Sequence, residues 1–297
     1  MLLNKKIAIL GGDARQIALA EKMAELGFTV RCFGLPLRER TAKIVACDEW
    51  KAAVEGATTV ILPLPASPDG RYLSLPLEKE KESPFLNDIL EAVSHKSVLV
   101  GGKLPTSVLT LAKEKGIQVF DFCQSELFLQ KNALPTAEAA VMILMREMPR
   151  TVSGLSVGVT GFGRVAMALT RLLTAMGAEV TVAARRQEAL DAAAAEGCAT
   201  VLLTKEEFLE NFAQKQAVIF NTVPHWIFSE EILSKMEAKT LIVDLASAPG
   251  GVDSSAAAAH AIKVIWALSL PGKYAPVTAG EIIAETVLSY MKGEKHL

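Results

Sequence analysis

Gly161, Gly163 and Ala166 follow a short β-branched run from Leu155 to Thr160. Each small residue has a physical use after a buried strand. Gly161 permits a tight turn, Gly163 lets backbone approach a pyrophosphate, and Ala166 lets a helix pack closely on the strand. The helix expected from about Gly163 to Met176 would aim its N-terminal N–H groups at phosphate oxygens. A second strand-like run, Glu179 to Ala183, is followed by Ala184-Arg185-Arg186. NAD sites usually hold an acidic residue there, to accept from the ribose 2′-hydroxyl. Two guanidiniums instead suit a 2′-phosphate. Gly161, Phe162, Gly163, Arg164, Val165, Arg185 and Arg186 are therefore expected to bind NADP, and the chemistry would be hydride transfer. The bland alternative is a tight strand–helix turn with solvated arginines.

Other short segments stand where strands should end. Asn221-Thr222-Val223-Pro224 and Leu245-Ala246-Ser247, the latter just after Asp244, are expected to border the nicotinamide. An ordinary Asn-Thr-x-Pro turn is the alternative for the first, and Asp244 could simply bond backbone to hold the second. Pro249-Gly250-Gly251 would let backbone come close to a ligand. His225 is a candidate general base, and a surface histidine is the alternative. His95, His260 and His296 have no comparable setting. In the first strand–helix turn, Gly11-Gly12-Asp13-Ala14-Arg15-Gln16, Arg15 could bind a substrate carboxylate bidentately. Asp13 could face the substrate or merely cap the helix. The spacing of this turn differs from that at Gly161, so a second dinucleotide is not expected there.

The elements that must position these residues alternate strand and helix, which predicts an α/β protein with mostly parallel sheets. Strands are expected at Lys6 to Leu10, Phe28 to Phe33, Thr58 to Leu62, Ser97 to Val100 and Ile117 to Phe120. Helices are expected at Ala14 to Leu26 and Pro105 to Lys115. Pro63 to Pro84 reads as a long loop after a strand end. Pro135 should open a connecting helix to Met148. A second set of strands follows at Leu155 to Thr160, Glu179 to Ala183, Ala217 to Phe220, Thr240 to Val243 and Ile262 to Ile265. Leu270 to Gly280 reads as the entry to a last helix, about Pro276 to Met291, with Thr278 and Glu281 at capping-box spacing. The expected organisation is two doubly wound, Rossmann-like domains with a cleft between them. One comprises residues 1–134, completed by a C-terminal helix (280–297) that crosses back. The other, residues 135–279, binds NADP.

Composition narrows the function classes. Apolar residues make up 51% of the chain and the formal net charge is −2. That content is enough for two cores, and no electrostatic case exists for nucleic acid. No apolar run is long enough to span a bilayer, and the start, MLLNKKIAILGG, does not read as a signal peptide. Four scattered cysteines and four histidines lack metal-ligand spacing, so no metal is expected. The setting expected is a reducing cytoplasm.

Together, GGDARQ at Gly11 to Gln16, Leu134-Pro135-Thr136-Ala137-Glu138, GFGRV at Gly161 to Val165, NTVP at Asn221 to Pro224, DLAS with PGG at Asp244 to Gly251, and LPG, AP and TAG between Leu270 and Gly280 resemble the A-subunit family of dipicolinate synthase. The resemblance spans nearly the whole chain. It implies two Rossmann-like domains, NADP, and oxidation of dihydrodipicolinate or its hydrated precursor to dipicolinate in the cytoplasm of a sporulating mother cell. It also implies a flavoprotein-like partner, the B-subunit of dipicolinate synthase, and a homo-oligomer is expected. Thr136 and Glu138 match the start of the family's interdomain helix. Thr136, with Asp13, Arg15 and Gln16, would face the substrate. Glu138 would be an acid in the cleft or only a first-turn carboxylate, and His225 belongs to no family motif. Two other readings stay open: a different NADP oxidoreductase of the 2-hydroxyacid or shikimate dehydrogenase type, and an NADP-binding subunit without chemistry of its own.

Overall fold

The computed structural model describes residues 5–37 and 42–293. Residues 1–4 of the amino-terminal stretch and His296 lie outside them. The first compact unit holds residues 1–132 and 275–297 and the second holds 133–274.

In the first unit, strands β1 (Lys6–Leu10), β2 (Thr29–Phe33), β3 (Ile44–Cys47), β4 (Thr59–Ile61), β5 (Val98–Gly101) and β6 (Gln118–Asp121) form one parallel sheet, ordered β3-β2-β1-β4-β5-β6. Helices α1 (Ala14–Glu25), α2 (Trp50–Val54), α3 (Leu86–Ala92) and α4 (Thr106–Glu114) connect them, and α5 (Glu126–Glu147) begins in the first unit and continues into the second. The central strand β1 is apolar on both faces: Ile7 and Ile9 enter one core cluster, Ala8 and Leu10 the other. Burial on both sides is what a parallel sheet covered by helices requires.

The second unit repeats the order. Strands β7 (Ser156–Thr160), β8 (Glu179–Ala184), β9 (Ala199–Leu202), β10 (Val218–Asn221), β11 (Leu241–Asp244) and β12 (Lys263–Trp266) form a parallel sheet, β12-β11-β10-β7-β8-β9. Its helices are α6 (Arg164–Ala175), α7 (Gln187–Ala195), α8 (Lys205–Phe208, continued by a π turn), α9 (Glu230–Leu233), α10 (Ser254–Ala259) and α11 (Leu270–Tyr274). The chain then returns to the first unit as α12 (Pro276–Met291), which packs on α1. Both sheets are doubly wound Rossmann-like sheets, with a topological switch point at β1/β4 and at β7/β10.

Several local expectations are corrected. The helix expected to open at Pro135 begins at Glu126, with Pro135 buried in its interior. An interior proline forfeits one helical hydrogen bond and costs about 3 kcal/mol. Burial of Phe128, Ala133, Ala137 and Ala140 on both sides of it carries the helix through. Thr278 and Glu281 form no capping box. The N-cap is Ala275, without a side-chain cap, and Pro276 begins the helix, where its missing N–H is no loss. Leu270–Tyr274, read as an entry segment, is a helical turn. The edge strands β3 and β9 and the helices α2, α3, α7, α8, α9 and α10 form in stretches for which the sequence pattern predicts no element.

Gly280 explains how closely α12 approaches α1. A Cβ at this position would lie 2.5 Å from the Arg15 carbonyl oxygen, 2.7 Å from Ala18 Cβ and 2.9 Å from Leu19 N. Two of these are backbone atoms that cannot turn aside. Gly280→Ala is expected to lower the unfolding free energy by about 1–2 kcal/mol, overpacking outweighing a gain of roughly 1 kcal/mol in helix propensity. Urea unfolding measures it, and an undiminished midpoint would contradict the close-packing account.

Candidate dinucleotide-binding site

The candidate site lies at the switch point of the second sheet, where ligands of such sheets bind beyond the strand carboxyl ends. Gly161 ends β7 at φ +82°, and its N–H donates to the Ala183 carbonyl at 2.8 Å. A Cβ there would lie 2.8 Å from both Thr222 Oγ1 and Val223 Cγ2. Conformation and packing thus both demand glycine. Gly163 is different. Its φ of −89° suits any residue, and a Cβ there would meet nothing within 4 Å. Nothing in the protein requires glycine at 163, whereas a ligand pressed against the backbone would. Gly163 is the N-cap of α6, and no side chain caps that helix. A serine or aspartate cap would stabilise it by about 1 kcal/mol, and its first-turn N–H groups instead remain available to an anion. Arg164 and Val165 open the helix, and Phe162 packs against the core. Arg185 and Arg186 stand exposed just past β8, Arg186 at the N-cap of α7. An open glycine cradle, an uncapped helix start and two exposed guanidiniums fit a dinucleotide with its phosphates.

Beside this cradle, polar side chains cross the ends of three strands. Thr160, Asn221 and Asp244 are register partners on β7, β10 and β11. Thr160 Oγ1 donates to Asn221 Oδ1 at 2.6 Å, and Asn221 Nδ2 donates to Asp244 Oδ1 at 2.8 Å. Asn221 also accepts from the Val223 N–H and donates to the Val223 carbonyl. Its amide is fully engaged and fully buried, so it holds the loop and has no valence left for a ligand. Asp244 accepts from the Ala246 and Gly251 N–H groups, which folds the 245–251 loop around one carboxylate. Trp266, the register partner of Asp244, donates its indole N–H to the Ala246 carbonyl at 3.0 Å. Sequence reasoning pairs neither Thr160 nor Trp266 with this site. A signal exists: three buried runs, SVGVT, VIFN and LIVD, each end on a polar residue.

The remaining candidates are scattered over both units. Thr222 donates through Oγ1 to the Thr160 carbonyl at 2.7 Å. Val223 is half-buried, Pro224 and His225 are exposed, Leu245 packs against the core, Ala246 is buried and Ser247 is exposed. Thr136 and Glu138 lie on α5, half-buried and exposed. The side chains of Glu138 and His225 make no hydrogen bond or ion pair among the described residues. In the first unit, Asp13 caps α1 in a reciprocal box with Gln16. Arg15, 4% exposed, grips Asp13 through Nε at 2.9 Å and Nη2 at 2.7 Å and reaches the Leu64 carbonyl. Gln16 is enclosed, and its Nε2 has no partner. The Gly12 N–H donates to the Ser74 carbonyl at 2.8 Å, so the chain's own 63–85 loop occupies the first unit's counterpart of the turn at Gly161.

Other chemistries find no support. Burial pushes the thiols of Cys32 and Cys123 up to about 12, and those of Cys47 and Cys198 upward as well, so no cysteine is a ready thiolate at neutral pH. Among the described residues no group of His, Cys, Asp and Glu is placed to hold a metal, and no helix is long and apolar enough to cross a membrane.

Fold and site define a nicotinamide-dinucleotide-binding protein of the dehydrogenase type, and residues 137–263 match the NAD-binding domain of D-isomer specific 2-hydroxyacid dehydrogenases. Residues 6–123 match the N-terminal domain of the dipicolinate synthase A-subunit. The chain is 32% identical to the dipicolinate synthase A-subunit of Bacillus subtilis (strain 168), over 99% of this chain and 98% of that protein. The crystal structure of the Bacillus halodurans A-subunit superposes with a TM-score of 0.89 at 26% identity, covering 98% of this chain and 99% of that one. The Bacillus subtilis structure gives 0.86 at 31%, covering 99% and 97%. The chain belongs to the A-subunit family of dipicolinate synthase.

Two substitutions separate support from binding. Asn221→Leu leaves Thr160 and Asp244 short of partners and is expected to cost about 2–4 kcal/mol of stability, read by urea unfolding. Gly163→Ala should cost no more than about 1 kcal/mol of stability, the usual loss at an N-cap, yet weaken dinucleotide binding about tenfold or more, by placing a methyl where a pyrophosphate would lie. Unchanged affinity by calorimetry would remove Gly163 from the cradle.

Proposed function

We propose that this chain is the NADP-dependent dehydrogenase component of a dipicolinate synthase, oxidising dihydrodipicolinate or its hydrated precursor to dipicolinate. The observation that carries the reading is the pairing of an uncapped α6, behind a glycine that only a ligand needs, with two exposed arginines after β8. The amides of Gly161, Phe162, Gly163, Arg164 and Val165 hold the pyrophosphate. Arg185 and Arg186 take the 2′-phosphate, which sets NADP above NAD. Thr222 to Pro224, held by Asn221, and Leu245 to Ser247, held by Asp244, border the nicotinamide.

The bound nicotinamide supplies the hydride acceptor. A hydride leaves a saturated ring carbon, a proton leaves the neighbouring carbon, and the product is an aromatic pyridine dicarboxylate. Aromatisation supplies driving force, so the protein's task is to position the ring and bind its carboxylates. In the first unit, Arg15 has Nη1 left over once Asp13 and Leu64 are served, and Nη1 is a donor for a substrate carboxylate. Asp13 holds that guanidinium and Gln16 lies beside it; Thr136, in the second unit, is a further candidate for contact with the substrate. His225 or Glu138 accepts the proton. The family takes its name from one component of a multi-subunit synthase, which implies a partner chain. We assign the flavoprotein-like B-subunit to that place, with a homo-oligomeric assembly in the cytoplasm of a sporulating mother cell.

Arg185→Asp is expected to weaken NADP binding by about a hundredfold while barely changing NAD binding, since one charge-assisted phosphate contact is lost and a repulsion gained. Equal losses for both would end the selector role. For the reaction, dihydrodipicolinate generated in situ by its synthase is mixed with the purified chain and NADP. NADPH and dipicolinate should rise together above the spontaneous rate. Absence of NADPH, with or without the partner chain, would refute hydride transfer.

A further inference from the structure

The loop that closes the first unit's glycine turn also builds a cavity of its own. Its two ends are tied together: Tyr72 bridges Phe85, the Leu73 N–H donates to the Pro84 carbonyl, and the Leu86 N–H donates to the Arg71 carbonyl. Between these ends and the carboxyl ends of β2 and β3 lies a cavity of about 420 Å³. Four aromatic residues line it. Phe33 comes from the end of β2, Trp50 from the start of α2, and Tyr72 and Phe85 stack at 4.3 Å between ring centroids. Among the described residues, four carboxylates, Asp48, Glu49, Glu82 and Asp88, share the lining with a single cation, Lys81. None of the four makes an ion pair among the described residues, whereas Lys81 is paired with Glu78.

This chemistry excludes the ligands proposed for the rest of the protein. A phosphate or a dicarboxylate would meet four like charges. A cation would meet opposite charge and the negative faces of aromatic rings. The chain's own cations already take that kind of position: Lys81 Nζ stands 5.5 Å from the Phe33 centroid, and Lys51 Nζ stands 5.5 Å from that of Trp50. Tyr72 and Phe85 at the rim are 38% and 45% exposed, and Leu77 on the same loop is 39% exposed. An open, aromatic rim around an acidic pocket has the shape and charge to take a cationic anchor side chain.

We propose that this cavity in the first unit is a docking pocket for a basic side chain, arginine or lysine, of a partner polypeptide. It is separate from the dinucleotide site and does not rest on the proposed reaction. The isotope-labelled full chain is titrated with Nα-acetyl-arginine amide, with the uncharged citrulline analogue, and with agmatine as a free cationic metabolite. The arginine amide should shift the amide signals of Asp48, Trp50, Tyr72 and Phe85, and the citrulline analogue should bind about tenfold more weakly or worse, as expected for loss of the cation. Asp48→Asn with Asp88→Asn should reduce the arginine affinity about tenfold and leave NADP affinity unchanged, which controls for folding. Equal binding of arginine and citrulline, or shifts elsewhere only, would overturn the pocket. Agmatine binding well above the peptide-like amide would overturn the polypeptide partner in favour of a free amine.

Discussion

The carboxylate of Asp244 is the hub on which the second unit's ligand end depends. It is buried, and it takes hydrogen bonds from the Asn221 amide and from two backbone N–H groups seven residues or fewer away. A charge held in that way must be served or the loop around it cannot form. Through Asn221 the same network reaches Thr160, and so joins the ends of three adjacent strands. Loop shape at the switch point is therefore set by side chains that need not touch a ligand. Side chains that serve one another in this way hold the surrounding backbone groups at fixed positions.

Two sheets of identical strand order carry opposite solutions to one problem. Each has a glycine turn after its first strand. In the second unit the turn opens onto an uncapped helix. In the first, Asp13 and Gln16 cap the helix reciprocally, and Ser74 fills the turn with a carbonyl. Topology alone thus says little about ligands, since the same scaffold has an open turn in one copy and a closed turn in the other.

The alternation of apolar strands and amphipathic helices makes the α/β class, the two sheets and most strand bounds legible. Strand β1 and helix α12 are read directly because apolar content, glycine and proline agree there. The start of α5 is not legible. Proline statistics favour the first helical turn, and only burial of Phe128 and Ala133 in the folded chain overrides them. Edge strands β3 and β9 are short and partly exposed, so they carry little periodic signal. The glycine turn at Gly161 is visible as a motif. The engagement of Asn221 is not, because a residue's hydrogen-bond count depends on partners up to 61 positions away. The Arg15–Asp13 clasp is local and falls within sequence range, whereas the bond from Arg15 to the Leu64 carbonyl joins positions 49 apart.

The return of α12 to the first unit has a consequence for how the protein is made. Ile282, Ile283, Ala284 and Val287 complete the cluster that contains Ile7, Leu19 and Met23, and they leave the ribosome only after everything they pack against. The second unit is one continuous stretch and is synthesised in full beforehand. During translation the strands of the amino-terminal sheet are therefore complete before α12 exists, and one flank of β1 and α1 stays uncovered until that helix is made. Docking of α12 acts as the closing step of biogenesis, and a chain released before it is made would expose that flank to chaperones and proteases.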